Sequence, residues 1–309
     1  MKKILLTTTA MVAFAGAASA EVTLSGSAEM GIVGSNAAGA AGDTQFHNDI
    51  DVKFTLSGET DNGLTFGATI DLDEVDAAGN GIPASSNPAS VFISGSFGTL
   101  TMGDTDGALD WAMQEVGDNV ANSIADDHTA HAGFNGNAGH DGLWDGQVLR
   151  YDNTFGDFGV ALSLEGPNQS APNSIWGLGV KYNLALGSVD LGLGLGYQSD
   201  SVNDIMGLSA DAKFGNGFRA IVNYTDLDGA LGLDDHFGIG LGYTTGAVSV
   251  EFNYGEYSGV LPAADADGYG LAVNYDLGGG AVVMAGYGSG SVGGAASLNT
   301  WSLGLGLSF

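Results

Sequence analysis

Large apolar side chains recur at every second position along most of this chain, and the positions between them hold glycine, serine, threonine and scattered charge. In "EVTLSGSAEMGIV" (21–33), Val22, Leu24, Met30 and Ile32 share one face, and Thr23, Ser25, Ser27 and Glu29 the other. "DIDVKFTLSG" sets Ile50, Val52, Phe54 and Leu56 against Asp49, Asp51, Lys53 and Thr55. "SIWGLGVKYNL" sets Trp176, Leu178, Val180, Tyr182 and Leu184 against Gly177, Gly179, Lys181 and Asn183. The chain closes on Trp301, Leu303, Leu305, Leu307 and Phe309, alternating with Ser302, Gly304, Gly306 and Ser308. A period of two is the signature of a strand with two different faces. About sixteen such segments follow one another, most near the 9–11 residues that a tilted strand needs to cross a bilayer.

The connections alternate in length. "SGETDNG", "SFGT", "TFGDF", "LALGS", "KFGNGF", "TTGAV" and "DLGGGA" are short and rich in the Gly, Asn and Asp of tight hairpins. Long connections fall near 34–47, 75–88, 105–146, 166–173, 227–234, 258–265 and 290–297. Short turns at one end and long loops at the other are the asymmetry of an outer-membrane barrel. A soluble sandwich would need charge on its polar face, but here that face is mostly Gly, Ser and Thr. The apolar face carries no basic residue, as a lipid-facing surface requires. Aromatic residues gather at strand ends. Phe54, Tyr182, Phe214, Phe218, Tyr243 and Phe309 lie toward the short turns, and Trp176, Tyr197, Tyr224, Tyr254, Tyr269 and Trp301 toward the long loops. The predicted fold is all-β: a 16-stranded antiparallel transmembrane β-barrel, whose last strand needs no polar tail because it closes on the first.

Composition sharpens this picture. Residues 1–20, with Lys2 and Lys3, an apolar run from Ile4 to Ala15 and an Ala18-Ser19-Ala20 site, read as a cleaved signal peptide, leaving 21–309 as the barrel. That removes two of seven basic residues, so Lys53, Arg150, Lys181, Lys213 and Arg219 face all 36 acids. Nucleic acid and anionic lipid surfaces are excluded as partners on electrostatic grounds. The 53 glycines would suit a disordered chain, but 44% hydrophobic residues do not. The absence of cysteine means that the fold does not rely on disulfides.

"EVTLSGSAEMGIV", "FTLSGETDNGLTFGA", "VFISGSFGTLTMGD" and the terminal Phe309 resemble the general diffusion porins of Gram-negative outer membranes, the alphaproteobacterial type in particular. The resemblance covers essentially all of 21–309. It implies a homotrimer in the outer membrane, in contact with lipid bilayer and lipopolysaccharide, with a third loop folded into the lumen. The function implied is passive diffusion of small hydrophilic solutes and ions, with no enzymatic step and no required cofactor. "VLRYDN" (148–153) resembles the family's strand after that loop, where an arginine faces the pore.

The stretch 105–146 follows "GTLTMGD", the place of the inward loop in the family, and holds Asp106, Asp110, Glu115, Asp118, Asp126, Asp127, Asp141 and Asp145 with no basic residue. Loops this long are uncommon without a function. Lys53, Arg150 and Lys181 stand at one level, some 10–14 Å above the periplasmic rim at about 3.3 Å per residue, and Lys213 and Arg219 lie lower. The expectation is a transverse field, cations of the wall facing acids of the loop, with overall preference for cations. "DTDG", "DLDG" and "DADG" make Asp104, Asp106, Asp226, Asp228, Asp265 and Asp267 candidate calcium ligands, although they lack the spacing of an EF-hand. His128, His131 and His140 invite zinc, but with nothing to fix them they read as solvated loop histidines. The rival function is a secreted acidic calcium-binding adhesin or β-roll, whose nonapeptide repeats do not occur in series here. A barrel enzyme would need a catalytic constellation, and the spacing reveals none.

Overall fold

The computed structural model describes residues 21–37, 42, 44–72, 89–117, 120–126, 139–140, 147–167 and 173–309. The expected signal segment 1–20 and all of the loop expected at 75–88 lie outside these residues. The first strands are β1 (Glu21–Ser35), β2 (Gln45–Glu59), β3 (Thr65–Leu72), β4 (Ala89–Gly95) and β5 (Gly98–Gly103). A short helix α1 (Ala108–Ala112) precedes β6 (Val148–Phe155), β7 (Phe158–Glu165), β8 (Ile175–Leu186), β9 (Val189–Ser199) and β10 (Asp204–Phe214). The chain continues through β11 (Phe218–Asp226), β12 (Leu233–Thr245), β13 (Val248–Gly259), β14 (Ala266–Gly278), β15 (Ala281–Val292) and β16 (Leu298–Ser308).

Every strand pairs antiparallel with its sequence neighbours, and β16 pairs with β1 from Ser27↔Ser308 to Ser35↔Thr300, closing the barrel. Closure matters because an unpaired strand edge in hydrocarbon would leave backbone groups without partners. A closed antiparallel barrel also removes the β-roll alternative. No helix among the described residues is long and apolar enough to cross a membrane.

The large alternating side chains point outward and are uncovered: Leu208 is 50% exposed and Leu303 49%. Such a surface suits acyl chains and would be a liability in water. Ring pairs band the two ends. Phe158 stacks on Tyr182 with centroids 4.2 Å apart, and Phe218 meets Tyr243 at 4.4 Å, near the short turns. Trp176 and Tyr197 meet at 5.0 Å near the other rim. The turn between β14 and β15 is Gly278-Gly279-Gly280, with φ of 79°, 69° and 88°, a run of left-handed residues that side chains would strain.

Two features depart from the sequence pattern. The β9–β10 connection, on the long-loop side, is only Asp200 to Asn203. It is held by Asp200 Oδ1, which accepts from Val202 N and Asn203 N at 2.8 Å each. The other departure is α1. Five residues are too few to register as a helical period, and α1 has no side-chain cap. Tertiary packing sustains it.

Candidate functional site

The inward face is the small one. On β8 and β9, Gly177, Gly179, Gly194 and Gly196 are buried, whereas Leu178, Leu193 and Leu195 between them are exposed. What covers the glycines is the start of the long connection. A Cβ on Gly179 would strike Ala108 O, one on Gly194 would strike Ala112 O, and one on Gly196 would come within 2.9 Å of Leu109 Cα. Farther round, Val116 lies on Gly238, Ser123 on Gly286, and Ile124 on both Gly31 and Gly304. Residues 108–117 and 120–124 therefore lie along the inner wall between β8 and β1, with backbone seated where the wall has no side chains.

The wall also supplies hydrogen-bond partners. Ala108 N donates to Ser163 Oγ at 2.9 Å, and Gln114 N to Ser209 Oγ at 3.0 Å. Asn223 Nδ2 donates to Gln114 O at 3.0 Å, while Val120 N and Ala121 N donate to Glu251 Oε2 at 2.8 and 3.1 Å. Leu109 and Met113 of the connection form a small core with Ile205, Leu227 and Ala230 at the mouth of the barrel.

The cations fall into three groups. Arg150 of β6 donates through Nη1 to Asp106 O at 2.7 Å and through Nε to Asp152 Oδ1 at 3.1 Å, with Asp106 Oδ2 at 3.9 Å. Lys181 of β8 lies nearby, its Nζ 4.1 Å from the centre of the Trp111 ring, where the π face attracts the ammonium. Burial and the neighbouring Asp106 raise the Asp110 carboxyl from 3.8 to about 6, against the opposing pull of Lys181 and Arg150. Arg150, Lys181, Asp106 and Asp110 thus form one cluster. Lys53 stands apart on β2, 2.6 Å from Asp71 of β3. Lys213 and Arg219 share Asp211 near a short turn. Arg219 grips it at 2.9 and 3.0 Å, and Lys213 approaches to 3.5 Å.

Of the other loop acids, Glu115 lies close to Tyr257 of β13. Asp118, Asp127, Asp141 and Asp145, together with the Asp126 side chain, lie outside the described residues, as do His128 and His131. His140 overturns the expectation of a solvated histidine. It is 2% exposed, its backbone N donates to Gln198 Oε1 at 2.7 Å, and its Nε2 lies 4.0 Å from Asp200 Oδ2. Burial lowers its pKa. Gly139 and His140 lie against Gln198, Leu109 and Ile205, so a residue that looks like loop in the sequence meets a wall in the structure.

The calcium candidates take local parts. Asp226 Oδ1 accepts from Asp228 N at 3.2 Å, Asp265 Oδ1 from Gly259 N at 2.9 Å, and Asp267 Oδ1 from Ser291 Oγ at 2.8 Å. Asp104 N donates to Ala89 O at 3.0 Å, and Asp106 belongs to the Arg150 cluster. Among the described residues no three His, Cys, Asp or Glu side chains gather as ligands for a metal ion.

Sequence reasoning passed over Trp111, Ser163, Ser209, Glu29 and Glu251, which hold the connection and its neighbours in place. A faint signal exists for Glu251, a carboxylate on the small face of "VSVEFNY" where only a pore or a partner could accept it.

A family model described as Gram-negative porin matches residues 7–295. A Rhodobacter capsulatus porin is 30% identical over 299 residues, covering 86% of this chain and 93% of that protein. A solved porin structure superposes with a TM-score of 0.71 at 24% identity, over 94% of this chain and all of the other. An engineered Rh. blastica porin gives a TM-score of 0.70 at 21% identity, over 94% of this chain and again all of the other.

Proposed function

This chain belongs to the Gram-negative porin family, an outer-membrane family of general diffusion channels, and from that premise we propose a cation-preferring pore for small hydrophilic solutes and ions. Passage in this reading is passive, involves no covalent step and needs no cofactor. The observation that carries the preference is the pairing of the wall cations. Lys53 lies against Asp71, Arg150 against Asp106 and Asp152, and both Lys213 and Arg219 against Asp211. Their charge is cancelled locally, and the surplus of acids in 21–309 sets the sign of the field.

The Arg150–Lys181–Asp106–Asp110 cluster is the proposed eyelet. Arg150 touches Asp106 of the connection and Lys181 lies on its Trp111 ring, so in this reading the expected transverse field becomes a local dipole within an acidic lumen. The full connection 105–146 is the proposed constriction loop. The proposed assembly is a homotrimer in contact with lipopolysaccharide. The sector around β15 and β1, rich in small residues and poor in aromatics, is the proposed protein-facing side.

The test is conductance of the folded protein in a planar lipid bilayer under a salt gradient. Openings in steps of three with a cation-selective reversal potential are expected, and neutralising Arg150 and Lys181 together raises the cation preference further. Anion preference in the unmodified protein overturns the acidic eyelet. Single steps count against the trimer, and inserted protein without conductance defeats the channel.

A further inference from the structure

Between α1 and a 3-10 turn at Ile124–Asp126, the described residues of the long connection form no helix or strand that would satisfy their backbone N–H groups. Two wall carboxylates accept from it there. Glu251 of β13 is wholly buried and receives both Val120 N, at 2.8 Å, and Ala121 N, at 3.1 Å, on the same oxygen, Oε2. Glu29 of β1 accepts from Ala125 N at 3.4 Å. Between β13 and β1 lie β14, β15 and β16, so the two acceptors hold the distal arm at separate points on the wall. The residues opposite Glu251 in the ladder are Gly242 and Ala272, whose small side chains leave room for the arm. A buried carboxyl group is costly unless it is hydrogen-bonded.

We propose that Glu251 is a positioning residue of the channel: it pins residues 120–121 to the wall and so fixes how much of the lumen the connection occupies. The proposal rests on the channel reading above. Glu251 acts as an acceptor and not as a charge. Its side chain has no exposure to the lumen, and both bonds converge on one oxygen. The carbonyl oxygen of a glutamine supplies the same acceptor.

The experiment compares the full-length channel with Glu251→Ala and Glu251→Gln, after each variant has shown the heat-modifiable mobility of a folded barrel. The readouts are single-channel recording and liposome swelling in neutral sugars of increasing size. Glu251→Ala is expected to spend about tenfold more time at substate currents, the ratio that a loss of ~1.4 kcal/mol produces. Its sugar cut-off shifts as well, and Glu251→Gln restores both properties together with an unchanged reversal potential.

A folded Glu251→Ala channel with ordinary noise and an ordinary cut-off overturns the proposal. So does a glutamine variant that behaves like alanine and shifts the reversal potential, since charge and not acceptance would then be at work. Should Glu251→Ala not fold, Ala121→Pro removes one donor while leaving Glu251 in place. The same rise in substates is expected from it, and a quiet Ala121→Pro channel overturns the idea. Unmodified protein that does not conduct defeats the channel reading as well, whereas indifferent variants of a conducting protein defeat the anchor alone.

Discussion

Asp106 and Asp110 stand four positions apart in sequence, one before α1 and one inside it, with Arg150 bound to the first. Burial and Asp106 make ionisation of Asp110 unfavourable until about pH 6. The sign follows from linkage. A carboxyl raised from 3.8 to about 6 leaves docking of the connection unaffected below pH 4, weakens it as pH rises through the window between, and weakens it fully above 6. The charge in the eyelet moves the opposite way, growing more negative over the same range. Reversal potentials measured from pH 7 down to pH 5 should therefore show cation preference declining. In Asp110→Asn the preference should be lower at pH 7 and flat across the window. An undiminished pH dependence in that variant would place the titrating group elsewhere.

At the scale of an element, one strand carries two unlike requirements on its two faces. Leu195 of β9 lies in the exposed outer row, and Gly194 beside it lies under Ala112. Gly194→Val has nowhere to put its side chain without moving α1, and overpacking of this kind costs typically 1–3 kcal/mol. A folded barrel with altered conductance is expected, because the strand has partners on both sides and the connection does not. Leu195→Val, one residue away, should leave conductance unchanged. The outward face fails differently. Leu208→Lys places an ammonium toward lipid near the middle of β10 and should destabilise by about 2–4 kcal/mol. Denaturant titration in a lipid vesicle reads that loss, and wild-type stability in this variant would mean that the site faces protein or water.

At the scale of the whole molecule, closure leaves no strand free to fray. Leu303 of β16 pairs with Ile32 of β1 and Ala285 of β15, so the seam of the barrel has the same ladder as the rest. Leu303→Pro removes a donor from that ladder and should abolish folding of the entire barrel. Heat-modifiable mobility reads the outcome, and a variant that still migrates as a folded barrel would show that the seam is dispensable.

The alternation of large and small residues determined the strands, their number and the lipid-facing side by itself, because each of these is local: a side chain's face depends only on whether its position is odd or even along the strand. Turn chemistry likewise placed seven hairpins. The pattern missed α1, too short to show a period, and the β9–β10 connection, which breaks the alternation of short and long links. The site was legible in part. Arg150 and Lys181 could be read as inward-facing, but sequence separation hides that Trp111 underlies Lys181, that Asp106 grips Arg150, that His140 is buried, and that Glu251 receives residues 120 and 121. Those contacts join residues up to 131 positions apart. Only tertiary structure decided them, because they exist once the barrel has closed and the connection has a wall to lie on.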